Sequence, residues 1–362
     1  MQPTRTANVE SHRQRRRLAS AGVEGEEATM EPLLDVQDLK VHFYTSEGIV
    51  RAVDGVSFVV QRQRTLGVVG ESGCGKSVTA RSILGLAGER ARTIAGRILY
   101  YPQEGTVKDL TQLPKDGRAI RSIRGREISM IFQEPMVSLS PVHTIGNQIM
   151  EVLQLHHKVK KPEAWKQAVE MLRRVGIPEA EERIDRYTYE LSGGMRQRAM
   201  IAMALCCQPR LLIADEPTTA LDVTIQAQIL ELIAELKETF QMSVMLITHD
   251  LGVVAEVAQD MVVMYLGKAV EKGPVKTVLN DPKHPYTQAL IQAIPKIQKR
   301  GQTKLHAIAG VVPDAYNIPP GCSFHPRCSR FMAGVCDKNI PEDIQINAEH
   351  QVACFLYGGA EQ

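Results

Sequence analysis

No apolar run in the 362-residue chain approaches the roughly 18 residues that a membrane-crossing helix needs. A single-sign charge excess is missing too. The 43 Lys and Arg stand against 41 Asp and Glu, net +2, so no global field marks a nucleic-acid binder. Seven cysteines are too few for a disulfide-stapled secreted scaffold. There is no internal repeat, no heptad run and no long linker, which argues against a repeat array or a coiled coil. What remains, 44% hydrophobic and 23% charged residues, is ordinary globular composition. The length predicts two to three domains, or one large domain with an extension. A soluble, intracellular chain with a real core is the expectation.

Residues 1–30 read differently. Arg5, Arg13, Arg15, Arg16 and Arg17 stand against Glu10, Glu24, Glu26 and Glu27 with almost no large apolar residues. No apolar stretch follows, so this is no signal peptide. The expectation is a disordered basic tail, or upstream sequence ahead of a start at Met30. The competing reading is an arm that touches acidic lipid or nucleic acid.

From Leu33 to Val60 the pattern is strand-like. Thr65 to Gly70 is a short apolar run that stops at a glycine-rich loop, with a helix expected near Ser77. Leu211–Ala214 and Val244–Thr248 are continuous apolar runs, which suits parallel strands buried on both faces. Gln226–Phe240 between them has helical spacing. After about residue 275 proline becomes frequent, and four of the seven cysteines follow that shift. It marks a boundary.

The loop itself, Gly70-Glu71-Ser72-Gly73-Cys74-Gly75-Lys76-Ser77, fits G-x-x-x-x-G-K-S throughout. Its glycines let the backbone turn amides inward round a phosphate, and the following helix adds a positive dipole end. Lys76 is expected to reach the β- and γ-phosphates and the Ser77 hydroxyl to ligate Mg²⁺. With Val78 these residues form the expected phosphate site. Leu211-Leu-Ile-Ala-Asp215-Glu216 supplies a second half: Asp215 ends a strand where it can hold the Mg²⁺ shell. Glu216 beside it can polarise an attacking water.

Leu191-Ser192-Gly193-Gly194-Met195-Arg196-Gln197-Arg198 decides among phosphate-loop proteins. It resembles the signature motif of ATP-binding-cassette (ABC) ATPases. Ser192 and two glycines open a helix running through Met200 to Leu205, a second anion site. The resemblance implies that Ser192, Gly193, Gly194 and Gln197 face ATP bound to a partner cassette. It also implies an α/β cassette with a mostly parallel sheet core, an antiparallel β subdomain and a helical subdomain near residues 134–190. In that family the position of Gln133 reaches Mg²⁺ and the water, Ala220-Leu221-Asp222 crosses the dimer interface, and His249 contacts the γ-phosphate. Glu216, Gln133 and His249 are therefore the expected catalytic set, with Ser77, Gln133 and Asp215 around Mg²⁺. The adenine stacks on Phe43 or Tyr44, and register favours Phe43.

Gln133-Glu-Pro-Met-Val-Ser-Leu-Ser-Pro141 resembles the ATPases of oligopeptide, dipeptide and nickel importers, apart from Ser140, where Asn is common. His284-Pro-Tyr-Thr-Gln-Ala-Leu290, Gly310-Val-Val-Pro313 and Pro319-Pro-Gly-Cys322 are similar to that group's C-terminal extension. The implied layout is a cassette over 31–275 and an extension over 276–362. The implied assembly is peripheral, on the cytoplasmic face of the cell membrane. It has two permease subunits, a second and paralogous ATPase, an extracytoplasmic binding protein acting indirectly, and no nucleic acid. Peptide uptake is the expected work, with nickel or another small solute as the alternative. A soluble repair or translation cassette is disfavoured by the single G-x-x-x-x-G-K-S and the missing coiled coil.

Cys322, Cys328, Cys336 and Cys354, spaced C-x₅-C-x₇-C-x₁₇-C, lie in a Pro-rich segment with few core residues. In a reducing compartment that favours a metal over disulfides. The gaps are wider than zinc's usual C-x₂₋₄-C pairs and suit a four-cysteine iron–sulfur cluster better. In the peptide-importer group the pattern resembles a [4Fe–4S] site; zinc and free thiols are the other readings.

Overall fold

The computed structural model describes residues 31–133, 138–219, 221–294 and 308–358. The expected tail at 1–30, residues 134–137 of the Gln133–Pro141 stretch, Ala220 and Pro295 lie outside them.

The chain begins with two long strands, β1 (Pro32–Thr45) and β2 (Gly48–Gln61), followed by β3 (Thr65–Val69) and α1 (Lys76–Ile83). Next come β4 (Ala91–Gln103), β5 (Thr106–Asp109), α2 (Arg118–Ile123) and β6 (Ile128–Ile131). A helical stretch holds α3 (Ile145–His157), α4 (Lys161–Arg174), α5 (Ala180–Arg183) and α6 (Gly193–Leu205). The chain then alternates through β7 (Leu211–Asp215), α7 (Val223–Phe240), β8 (Ser243–Ile247), α8 (Leu251–Val257), β9 (Asp260–Tyr265) and β10 (Lys268–Pro274). Beyond these lie α9 (Val275–Asn280), α10 (Pro285–Gln292), β11 (Ile344–Gln345) and β12 (Gln351–Val352).

Among the described residues the strands form two sheets. The antiparallel one runs β2-β1-β4-β5 and the larger runs β11-β12-β10-β9-β3-β8-β7-β6. Pairing is parallel from β9 through β3, β8 and β7 to β6. It turns antiparallel from β9 outward through β10, β12 and β11. All residues of β3, β7 and β8 are buried, and their middles are apolar, as suits parallel strands covered on both faces. Polar residues are confined to the strand ends, and at the carboxyl ends both motif loops begin.

The helical stretch closes on its own apolar stripe. Ala164, Ala168 and Leu172 of α4 pack with Ile145, Ile149 and Leu153 of α3 and with Ile201 and Leu205 of α6; the spacing of three to four residues puts each set on one helix face. Thr144 and Ser192 cap α3 and α6 with side-chain oxygens that accept backbone N–H groups.

The C-terminal segment is fastened differently. From Pro32 on, the described residues form one unit, and β12 pairs with β10 through Glu271 and Val352. Glu271 is fully buried, and its carboxylate accepts from the Lys283 N–H (2.6 Å), the His284 N–H (2.9 Å) and His350 Nε2 (2.8 Å). A buried carboxylate is tolerable only with such donors. Alongside, the rings of Tyr265, Tyr286 and Phe324 meet with centroids 4.7–5.3 Å apart, joining β9, α10 and the cysteine segment in one apolar cluster.

Candidate active site

β3 delivers the glycine loop, and three of its glycines sit at positive φ: Gly70 at 150°, Gly73 at 79° and Gly75 at 102°. A Cβ on Gly70 would stand 2.2 Å from the Met264 carbonyl, and one on Gly75 would stand 2.3 Å from the Ala52 carbonyl. The loop is thus wedged between β9 and β2, with glycine required by contact as well as by φ. Lys76 is buried, and its ammonium donates to the carbonyls of Gly70 (2.8 Å) and Glu71 (3.0 Å). The cation is held inside the loop that it would serve.

At the end of β7 the Asp215 carboxylate is fully buried. Its Oδ1 accepts from the Ser77 hydroxyl at 2.8 Å, while Oδ2 has no partner among the described residues. Burial raises the carboxyl pKa above its ordinary value, opposed by the Ser77 hydrogen bond and by Arg81. A hydroxyl and a carboxylate together, with an orphaned buried oxygen, fit Mg²⁺. That ion takes one or two protein oxygens and completes its shell with water and phosphate.

Glu216 follows in left-handed backbone, φ 48°, a conformation that a non-glycine residue holds only when its surroundings fix it. Its Oε2 accepts from Gln133 Nε2 (3.0 Å) and the Thr219 hydroxyl (2.9 Å). His249 Nδ1 lies 3.5 Å from Oε1, and the histidine side chain is 68% exposed. The structure therefore gathers Lys76, Ser77, Gln133, Asp215, Glu216 and His249 at the carboxyl ends of β3, β6, β7 and β8. Thr219 is an addition that no residue pattern announces.

Other expected residues are placed less simply. Glu71 turns its side chain outward, whereas the Cys74 thiol accepts from Lys76 Nζ at 3.8 Å. The Glu71 carboxylate is held by Arg327, and the Cys74 thiol is buried beside Gly70, where burial raises its pKa. Val78 packs into the core, so its side chain belongs to the fold. Phe43, favoured by register for the adenine, packs partly buried against the core, whereas Tyr44 is 44% exposed with the Arg92 guanidinium 5.8 Å from its ring centre. The twisted pairing of β1 with β2, irregular between Val41 and Phe43, gives the free ring to Tyr44.

Ser192 and Gly193 are exposed at the start of α6, with the Ser192 hydroxyl oxygen accepting the Met195 N–H at 3.3 Å. Gly194 faces Ile225, and Asp222 caps α7 through the Ile225 N–H at 3.0 Å. Gln197, expected with them on the nucleotide face, is instead 2% exposed and donates to the Pro217 carbonyl. One turn along α6 its side chain points inward, tying the helix to the loop after Glu216.

The four late cysteines share one neighbourhood. Burial pushes the Cys322 thiol up to about 11, and the thiols of Cys336, Cys354 and Cys328 add to the rise. Backbone N–H groups face three of the sulfurs, from Phe324, Arg330 and Leu356. Yet among the described residues no three His, Cys, Asp or Glu side chains are placed to hold a metal ion. The expected metal, cluster or zinc, therefore lacks a ready-made ligand set.

The ABC transporter family matches residues 53–219, and the C-terminal region of oligopeptide/dipeptide transporters matches residues 270–336. The chain is 52% identical over 324 residues to a "probable peptide ABC transporter ATP-binding protein", y4tR of Sinorhizobium fredii, covering 89% of this chain and 94% of that one. It is 50% identical over 335 residues to the oligopeptide transport ATP-binding protein AppD of Bacillus subtilis, covering 92% of this chain and all of AppD. In fold it is similar to the cassette MJ0796, solved as a dimer in a post-hydrolysis state with ADP and Pi, at TM-score 0.58 and 24% identity over 67% of this chain and 98% of that one.

Proposed function

The chain belongs to the ABC transporter ATP-binding proteins of the oligopeptide/dipeptide type, and from that membership we propose that it binds and hydrolyses ATP to drive peptide import. The observation that carries the site assignment is the pairing of Ser77 with Asp215 beside a fixed Glu216.

ATP enters with its phosphates in the glycine loop, where Lys76 exchanges two carbonyl partners for phosphate oxygens. Ser77 and Asp215, with Gln133 as a further candidate, would hold Mg²⁺, which would supply charge neutralisation on the phosphates. Glu216 takes a proton from the attacking water as it approaches the γ-phosphate. Gln133 and Thr219 hold the Glu216 carboxylate in place, and His249 stands at the open side, where it can meet the γ-phosphate. Tyr44 stacks on the adenine.

The exposed Ser192–Gly194 end of α6 serves a nucleotide on a second cassette, so the working ATPase is a pair, here with a paralogous partner. Two permease subunits and an external binding protein complete the importer. Among the described residues no helix is long and apolar enough to cross a membrane, which suits a subunit held peripherally on the cytoplasmic face. For the four cysteines a [4Fe–4S] cluster has in its favour their number, their spacing and the backbone N–H groups that face three of the sulfurs; it would need the thiols drawn closer than they stand. Iron and sulfide at about four each per chain, in protein prepared without oxygen, would support it, and their absence would end it.

The test is labelled peptide uptake by cells whose only copy carries Glu216→Gln. Uptake and ATP hydrolysis should both be lost, with hydrolysis down by about 10²–10⁴-fold and ATP binding retained. Hydrolysis lost with peptide uptake intact would remove the import assignment, and loss of nickel uptake alone would move the substrate to a metal ion.

A further inference from the structure

The glycine loop is gripped from outside by the C-terminal extension. Arg327, next to Cys328 and 256 residues after Glu71, sends both terminal nitrogens to the Glu71 carboxylate, Nη1 to Oε2 at 2.7 Å and Nη2 to Oε1 at 3.0 Å. Its side chain is 4% exposed. Nε donates to the Ala309 carbonyl at 3.1 Å and Nη1 lies 3.4 Å from the Tyr265 hydroxyl. The guanidinium sits 5.8 Å from the Tyr265 ring centre. A second contact from the extension meets the same residue: the Tyr286 hydroxyl accepts the Glu71 N–H at 2.9 Å.

Two physical consequences follow. A loop with glycines at positive φ is expensive to order, and a bidentate charged pair with an amide hydrogen bond fixes its first turn before the nucleotide arrives. Glu71 also puts a negative charge one residue from the start of a site for a polyanion, and the guanidinium cancels that charge. We propose that Arg327, aided by Tyr286, is a positioning residue for the phosphate loop, so that the C-terminal extension sets the affinity for MgATP. This rests on the reading of residues 70–77 as the ATP site.

The test uses the full chain, with MgATP as the probe, read both as equilibrium binding and as steady-state hydrolysis. Arg327→Met should weaken MgATP binding and raise KM by about tenfold while kcat stays within about twofold. The double variant Arg327→Met/Glu71→Gln should recover most of that loss, because the uncancelled carboxylate is gone, whereas a merely structural role for Arg327 would leave the double variant no better. Arg327→Lys, with charge but no fork, should fall between and decides the matter if Arg327→Met does not fold. Wild-type affinity in Arg327→Lys and Arg327→Met, or a double variant no tighter than Arg327→Met, would overturn the proposal. Lys76→Ala is run beside them. If it binds MgATP as wild type does, the loop is not the ATP site and that reading fails independently of Arg327.

Discussion

The nucleotide cleft and the C-terminal extension are assembled on different principles. In the cleft the functional residues come in short motifs: the glycine loop, Lys76 and Ser77 are contiguous, and Asp215 and Glu216 are neighbours. Folding then brings the ends of four strands together, joining Ser77 to Asp215 over 138 residues and Gln133 to Glu216 over 83. The extension holds through partners far apart in sequence, Glu271 with His350 over 79 residues and Glu71 with Arg327 over 256. A site of the first kind is fixed by backbone shape and survives in many surroundings. A site of the second kind exists only when the whole fold is complete.

Four substitutions probe that contrast. Lys76→Ala strikes the local design and should weaken ATP binding by at least about a hundredfold, measured by equilibrium dialysis, with little change in unfolding midpoint. A large fall in stability instead would mean that the lysine, bonded to two loop carbonyls, is a structural brace. Glu271→Gln strikes the long-range design. An amide can accept with one oxygen only, so at least one of three buried donors is left facing an N–H₂ group; stability should fall by about 2 kcal/mol, read by urea unfolding, and proteolysis within residues 344–358 should accelerate. Unchanged stability would show that the extension hangs on its aromatic cluster alone. The smallest effect is at the nucleobase: Tyr44→Ala should raise KM for ATP by about fivefold with stability kept, and Phe43→Ala should do the reverse, losing about 2 kcal/mol. The opposite pattern would return the adenine to Phe43.

Legibility in the sequence followed the same contrast. The loop, the Asp215–Glu216 strand end, Ser192 as the cap of α6 and the buried runs of β7 and β8 could all be read from adjacent residues, and they stand where the spacing puts them. Gln197 turns inward and Phe43 packs partly buried beside the exposed Tyr44, because a side chain near a motif can turn either way. A helix turn or an irregular strand register, not residue type, decides which. Arg327, Thr219 and Glu271 had no signal of their own, since nothing in a lone arginine or glutamate names its partner. The cysteine spacing was visible, but whether four thiols close round an ion depends on distances that spacing does not contain.

The pairing of β12 with β10 reaches beyond the extension itself. Take away the residues after about 340 and β10 becomes the rim of the larger sheet, its backbone N–H and C=O groups open along Glu271 and Lys272 and ready to accept a strand from another molecule. A shortened chain that kept every ATP-handling residue would then be sticky, joining copies of itself edge to edge. Residues 344–352 would thereby guard the sheet against self-association, and a loss of solubility on truncation would come from that open rim while the cleft stayed whole.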